Sequence, residues 1–564
     1  MNQTIYNISE ICASKGMKKM VLSPGSRNAP LTISFARNPK IETFNIVDER
    51  SAGFIALGMA LKSKEAVAIC CTSGSALLNY APAVAEAYYQ QVPLIIFAAD
   101  RPPEWIDQRD GQTINQTDAL ANFTKGFFQL PIDLSHEDAQ WEFNRKINEA
   151  INLALSAPFG PVHINVPFRE PFYPRDKETL TFEDVRVIHQ PPSKQTFDYS
   201  ELAEKWHNFT KKLIVVGQSD DETLNRALSK LKNTPIVTDV ISNCRTVGNI
   251  LTHDLFLASA NVAQLESLKP DLLITTGKSL ISKNLKLFLR KNKPSEHWHF
   301  ENTTQLSDTF KTLTHHFRMP VEGLFEEINN RSVKDDFRFQ LELNYKQNWL
   351  TLEKRTKEAL TKEVESQSFA DTKAYYLVCQ QLKSNMDFHL ANSMAVRYVN
   401  FFQFELGAAK VFANRGTSGI DSSNGTAAGN AIIGDKPVVL LTGDLGFFYD
   451  RNAFFHPYDL SKLKIIVFNN GGGGIFRLIQ GPAGLPELEQ HFETRHSHSA
   501  KFTAVEYGFD YLTAKDESSL KLSLELVFKD NKTPKLLEIF TDPKTNDQNF
   551  NLLKKAITDV FISK

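Results

Sequence analysis

The stretch TGDLGFFYD at residues 442–450, continued by IIVFNNGGGGIF at 465–476, decides how this chain is read. The apolar run 438–441 leads straight into it, and a second apolar run ends at Asn469 and Asn470, one strand-helix-strand unit later. Apolar runs without polar alternation mark strands covered on both faces, which belong to parallel sheets in α/β layers. Neighbouring parallel strands end side by side, so the Asp444 carboxylate and the Asn470 amide oxygen meet at one sheet edge, where ligands bind. Two hard oxygens amid glycine backbone suit Mg²⁺ holding a diphosphate, because that ion takes one or two carboxylates and leaves room for phosphate. A Gly-Asp turn alone would be an ordinary turn; the Asn pair and four glycines at crossover distance change its meaning.

At 564 residues the chain exceeds one core, and about 150 residues per domain suggests three or four units. Lys+Arg number 64 against Asp+Glu 65, a net charge of -1, which excludes an overall electrostatic footprint for nucleic acid or an anionic membrane. The five cysteines are scattered without metal-ligand spacing, as buried thiols in a reducing compartment are. No basic head precedes an apolar block at the N-terminus, and no apolar run reaches the ~18 residues of a membrane span. The expectation is a cytoplasmic protein.

The same strand pattern recurs outward from the opening stretch. Apolar runs at 20–22, 41–47, 66–71, 94–99 and 162–166 give an α/β layer over 1–180, each run ending in a loop of unusual chemistry: SPGSRNAP, DERSAG, TSGSA, DRPPE. A proline- and charge-rich stretch at 169–197 reads as an exposed linker. Runs at 212–217, 235–240, 271–277 and 297–300 give a middle α/β domain over 195–345, best read as structural. Residues 321–365 interleave Lys and Glu and read as a solvated connecting helix. The last third, 366–564, repeats the first architecture with runs at 387–391, 410–413, 438–441, 465–468 and 536–539. The fold class is α/β, three domains with mainly parallel sheets.

Glu49 is the second candidate. It follows the run FNIVD and opens the helix ERSAGFIALGMALKS, a position where a carboxylate is favoured by the helix macrodipole. Its pairing with the 442–476 cradle gives it further meaning. The chain resembles thiamine-diphosphate enzymes, and more closely the 2-succinyl-5-enolpyruvyl-6-hydroxy-3-cyclohexene-1-carboxylate synthases of menaquinone biosynthesis. The matching segments are SPGSRNAPL (23–31), DER (48–50), TSGSA with Asn79, ADRPPE (99–104) with Gln112, NSMAVR (392–397), NRGTSGID (414–421) and GDLGFFYDRNA (443–453).

The resemblance implies the thiamine-diphosphate-binding fold and a carboligase that decarboxylates 2-oxoglutarate and adds the succinyl unit to isochorismate. It implies that Glu49 bonds the cofactor's pyrimidine nitrogen, and that Asp444, Asn470 and the Gly472 carbonyl hold Mg²⁺, with Mn²⁺ able to substitute. Ser418, Gly419, Gly443 and Leu445 would approach the cofactor by backbone, Ile420 would bend it, and Ile475 and Phe476 would wall its thiazolium. Both substrates are dicarboxylates, which calls for fixed guanidinium and ammonium groups. Ser393, Arg397 and Arg415 would face the succinyl end; Ser26, Arg27, Gln112 and Lys283 would face isochorismate. Arg101 is a further candidate that could instead brace its loop, and Asn284 stands where some members have Arg. Family members build each site from two chains, so a homodimer or homotetramer is expected, without nucleic acid or membrane partners.

Other features carry less. His491, His496 and His498 lack the further ligands of a tetrahedral site and read as a mobile polar loop near the entrance. The glycine run lacks the Gly-Lys-Ser/Thr of a P-loop. Another thiamine-diphosphate decarboxylase or an acetohydroxyacid synthase would not need the arginine set, and a catalytically silent relative would lack Glu49 or Asp444.

Overall fold

Three wholly parallel sheets carry the chain in the computed structural model, which describes residues 3–562 apart from 171, 174–181, 183, 192–194, 332–335, 408, 479–480 and 531. The first contains β1 (Lys19–Leu22), β2 (Glu42–Asn45), β3 (Val67–Cys71), β4 (Leu94–Asp100), β5 (Phe127–Gln129) and β6 (Val162–Pro167), in the order β2-β1-β3-β4-β6-β5. The middle sheet contains β7 (Lys212–Val216), β8 (Ile236–Thr238), β9 (Leu272–Thr276), β10 (Glu296–Phe300) and β11 (His315–Phe317), in the order β11-β10-β9-β7-β8. The third contains β12 (Asp387–Leu390), β13 (Lys410–Ala413), β14 (Val438–Gly443), β15 (Leu463–Asn469), β16 (Asp510–Ala514) and β17 (Lys535–Phe540), in the order β13-β12-β14-β15-β17-β16. Numbered within its own sheet, the third repeats the strand order of the first, so the two outer thirds share one topology.

Every apolar run read as a strand forms one, and the strands that the runs do not reveal are β5, β11 and β16. Each ends its sheet and is largely half-exposed. An edge strand has one neighbour and can do without a continuous apolar run; β2, β8 and β13, at the opposite edges, kept theirs. Much of the proline-rich linker at 169–197 lies outside the described residues.

The helix Asp336–Ser366 corrects the expectation of a solvated connector. Tyr345, Trp349, Leu352, Thr356, Leu360 and Val364 are buried at helical spacing, one apolar stripe among the Lys and Glu. Trp349 meets the rings of Phe256 and Phe288 edge-on at 5.9 and 6.0 Å, which fastens the helix to the middle domain.

Within one chain the outer layers meet through the helices Glu49–Ser63 and Ser423–Ile433. Their backbones touch: a Cβ on Gly58 would lie 2.1 Å from the Thr426 carbonyl oxygen, and one on Gly429 2.0 Å from that of Ile55. The obstruction is backbone and cannot swing aside. Gly58→Ala is therefore expected to force the helices apart and destabilise the protein by about 1–3 kcal/mol, seen as a lower melting temperature. An unchanged melting temperature would mean that the helices are not packed this closely.

Candidate active site

The carboxyl ends of β14 and β15 are adjacent and in register, Gly443 beside Phe468, so Asp444 and Asn470 come together as the spacing requires. Asp444 is buried, and its two oxygens order the surrounding backbone. Oδ1 accepts Leu445 N at 2.7 Å and Oδ2 accepts Gly472 N at 2.9 Å. Gly472 has φ +153°, and a Cβ there would stand 2.5 Å from the Glu493 carbonyl oxygen, so this position requires glycine. Asn470 donates its amide to Asp371 Oδ2 at 3.3 Å, while no hydrogen bond reaches its carbonyl oxygen among the described residues. That oxygen is left for a ligand.

Ser393, Ile420, Gly443, Asp444, Leu445, Asn470, Gly472, Ile475 and Phe476 line one cavity of about 210 Å³. Ser418 and Gly419 lie in the adjoining loop, where the Gly419 carbonyl accepts Asn392 Nδ2 at 2.7 Å. Ser393 (φ +68°) and Ser418 (φ +63°) both hold backbone conformations unusual for residues with a side chain, of the kind found at binding sites.

Two guanidinium groups stand behind this wall. Arg397 Nη1 donates to the Ser393 carbonyl at 2.5 Å, and Arg415 Nη1 donates to Asn392 Oδ1 at 2.8 Å. Neither lies within 4.0 Å of a carboxylate among the described residues, and Arg415 Nε is buried without a partner. Burial lowers the pKa of both, and at Arg415 the charge of Arg397 adds to the effect. Asp254 opposes the shift at Arg397, and Asp239 and Glu86 oppose it at Arg415, but none of these carboxylates is in contact, and paired cations of this kind suit an anionic ligand.

The remaining candidates lie elsewhere in the chain. Glu49 is the first residue of its helix, half-buried beside the N-cap Asp48, and does not line the cavity. Ser26 and Arg27 follow β1, Arg101 follows β4, and Gln112 packs on Ser73 just after β3, all past the carboxyl ends of strands of the first sheet. Arg27 is buried, donates to the Phe168 carbonyl at 3.0 Å and lies 4.4 Å from the centre of the Phe172 ring. Ser26 is within 3.5 Å of the Tyr173 hydroxyl, and the Gln112 carbonyl, at φ +53°, accepts Ser73 Oγ at 2.8 Å. Arg101 braces its loop, donating to the Gly111 carbonyl at 2.6 Å and pairing with Asp110 at 3.1 Å. Lys283 is exposed at the start of the helix Lys283–Lys291, and Asn284 is spent on Asp254. Strand ends of the middle sheet and Arg415 line a second cavity of about 560 Å³.

Comparison with known proteins identifies two of the domains and the family. The family described as "Thiamine pyrophosphate enzyme, N-terminal TPP binding domain" matches residues 6–121, and "Middle domain of thiamine pyrophosphate" matches 187–388. The chain is 43% identical to the 2-succinyl-5-enolpyruvyl-6-hydroxy-3-cyclohexene-1-carboxylate synthase of Cytophaga hutchinsonii over the full length of both. It belongs to that synthase family. Relatives of the same name in Porphyromonas gingivalis (40% identical, 95% of this chain and 93% of the relative) and Flavobacterium johnsoniae (39%, 98% of each) agree. The matched thiamine pyrophosphate domains give thiamine diphosphate as the cofactor.

The residues present fit that cofactor and a small hard cation: one carboxylate, one free amide oxygen and a backbone carbonyl held by a glycine turn. Three further residues support the site, and of these Asp371 alone lies outside the stretches singled out in the sequence. Asp371 is buried, accepts Thr541 Oγ1 at 2.6 Å as well as Asn470, and has its pKa pushed up to about 6 by burial, with the charge of Asp444 contributing. Asn392 joins the end of β12 to the 414–421 loop through the Asn414 and Gly419 carbonyls. His496 lies 3.3 Å from Asp444 Oδ2, and its backbone N–H donates to the Gly471 carbonyl. His496 is thus packed on the glycine turn, while His491 and His498 are exposed, and Arg477 bridging Glu489 and Glu493 fastens the segment. No helix among the described residues is long and apolar enough to cross a membrane.

Proposed function

We propose that this transferase uses thiamine diphosphate and Mg²⁺ to decarboxylate 2-oxoglutarate and add the succinyl unit to isochorismate. The products are 2-succinyl-5-enolpyruvyl-6-hydroxy-3-cyclohexene-1-carboxylate and CO₂, in menaquinone biosynthesis. The observation that carries this reading is the pair of half-buried guanidinium groups, neither in contact with a carboxylate, fastened to the wall of the cavity that Asp444 and Asn470 line.

Asp444, Asn470 and the Gly472 carbonyl hold Mg²⁺, with Mn²⁺ an acceptable substitute. When bound, thiamine diphosphate supplies the electron sink for the carbanion that decarboxylation leaves. Ser418, Gly419, Gly443 and Leu445 present backbone to it, and Ile420, Ile475 and Phe476 exclude water around its reactive ring. Arg397, Arg415 and Ser393 orient the 2-oxoglutarate carboxylate that is retained. Ser26, Arg27, Arg101, Gln112 and Lys283 receive isochorismate.

Glu49 holds a proton at the pyrimidine ring and reaches it from a second copy of the chain. Two observations support this. Glu49 does not line the single-chain cavity, whose volume is below the ~300 Å³ usual for a ligand pocket. Val47, two residues before it, and Tyr449, whose ring lies 5.0 Å from the guanidinium of the neighbouring Arg50, are exposed, apolar surface suited to a partner. The active form is a homodimer or homotetramer of domains 1–180, 195–345 and 366–564, working in the cytoplasm.

Loss of isochorismate absorbance tests the reaction directly. Consumption should require the protein, Mg²⁺, thiamine diphosphate and 2-oxoglutarate together, and a chelator should stop it. Consumption without the cofactor or without 2-oxoglutarate would overturn the reading.

A further inference from the structure

The loop at 414–421 carries Arg415, Ser418, Gly419 and Ile420 above the third sheet, yet its backbone is held from the first α/β layer. Glu86, in the helix Ala81–Gln90, is only 1% exposed. Its Oε1 accepts Gly416 N at 2.7 Å and Gln90 Nε2 at 2.6 Å. Its Oε2 accepts Thr417 N and Thr417 Oγ1, both at 2.6 Å. No lysine, arginine or histidine nitrogen lies within 4.0 Å of this carboxylate among the described residues. Arg415 is the nearby charge that Glu86 acts on, but not in contact, and a buried carboxylate with no cation in contact is tolerated only when its oxygens are filled by donors, of which two of the four here are loop amides.

The loop rests directly on the helix. A Cβ on Gly416 would stand 2.7 Å from the Glu86 carbonyl oxygen and 3.0 Å from Tyr89 Cβ. From the opposite side Asn392 holds Arg415 and the Gly419 carbonyl. The segment is therefore gripped at two points, one on each outer layer, with the Arg415 side chain between them.

We infer that Glu86 is a positioning residue: it fixes the 415–420 loop across the layer boundary and so sets where Arg415 meets the substrate carboxylate. This rests on the assignment of Arg415 to 2-oxoglutarate. Glu86 itself need touch neither substrate nor cofactor, because it acts through the loop backbone.

Glu86→Gln keeps the size of the side chain but leaves one acceptor oxygen, so one pair of donors must face an amide NH₂ group. Amide exchange across 414–421 should quicken about 10-fold, with the melting temperature within about 3 °C of the native value. The KM for 2-oxoglutarate should rise about 10- to 50-fold while that for isochorismate stays within about threefold. Thr417→Val, which removes only the hydroxyl contact, should give a smaller change of the same kind and carries the test should Glu86→Gln fail to fold. Arg415→Ala, measured alongside, separates the two claims. If it raises the KM for 2-oxoglutarate and the Glu86 and Thr417 variants change neither exchange nor KM, the positioning role is overturned. If exchange quickens in Glu86→Gln but Arg415→Ala leaves that KM unchanged, the loop contact stands and the assignment of Arg415 falls.

Discussion

Replacing Glu49 by glutamine is expected to lower kcat about 10³-fold while cofactor binding and the fold persist. The substitution preserves size and hydrogen-bonding reach but removes the group that can hold or release a proton at the pyrimidine ring, a contribution typically worth 10² to 10⁴. Little in the fold depends on the charge. The helix is capped by Asp48, whose side chain accepts Ser51 N at 3.2 Å, and Glu49 itself is half-buried. Steady-state kinetics beside a thiamine diphosphate binding isotherm distinguish the outcomes. Full activity in this variant would remove Glu49 from the mechanism.

Asp444→Asn should act at an earlier step. The variant keeps one oxygen for Leu445 N, but the other becomes an NH₂ group facing Gly472 N, which now stands 2.9 Å from an acceptor. Two donors at that distance repel, so the glycine turn shifts, and the charge that would neutralise the cation is lost as well. Affinity for thiamine diphosphate in the presence of Mg²⁺ should fall at least about 100-fold, read by calorimetric titration. Native affinity would show that the cofactor is held elsewhere.

The architecture was legible wherever strands are covered on both faces. The runs that became β3, β4, β14 and β15 are apolar throughout because both faces are packed, and Asp444 and Asn470 stood at their ends by topology alone. Elements with a solvent face were marked less regularly: β2 was read, others were not. The edge strands β5, β11 and β16 escaped notice, and the stripe from Tyr345 to Val364 was masked by the charges on its exposed sides.

The candidate site divides along similar lines. Residues clustered in motifs, such as Ser393 with Arg397 or Ile475 with Phe476, could be picked out together and do line or back one cavity. Asp371 and Glu86 could not, because their partners at Asn470 and Gly416 lie far along the chain and only folding joins them. His496 was misjudged for a related reason. Its surroundings suggested a polar loop, but its place is set by contact with Asp444 and Gly471.

The central claim is that one site takes Asp444 from one copy of the chain and Glu49 from another. Mixing the two inactive variants, Glu49→Gln and Asp444→Asn, after dissociation and reassociation tests it. Random pairing makes half of the dimers mixed, and each mixed dimer then holds one intact site of two, so about a quarter of native activity should return. If both groups came from the same chain, every site in every dimer would be damaged, and the mixture would remain as inactive as its parents.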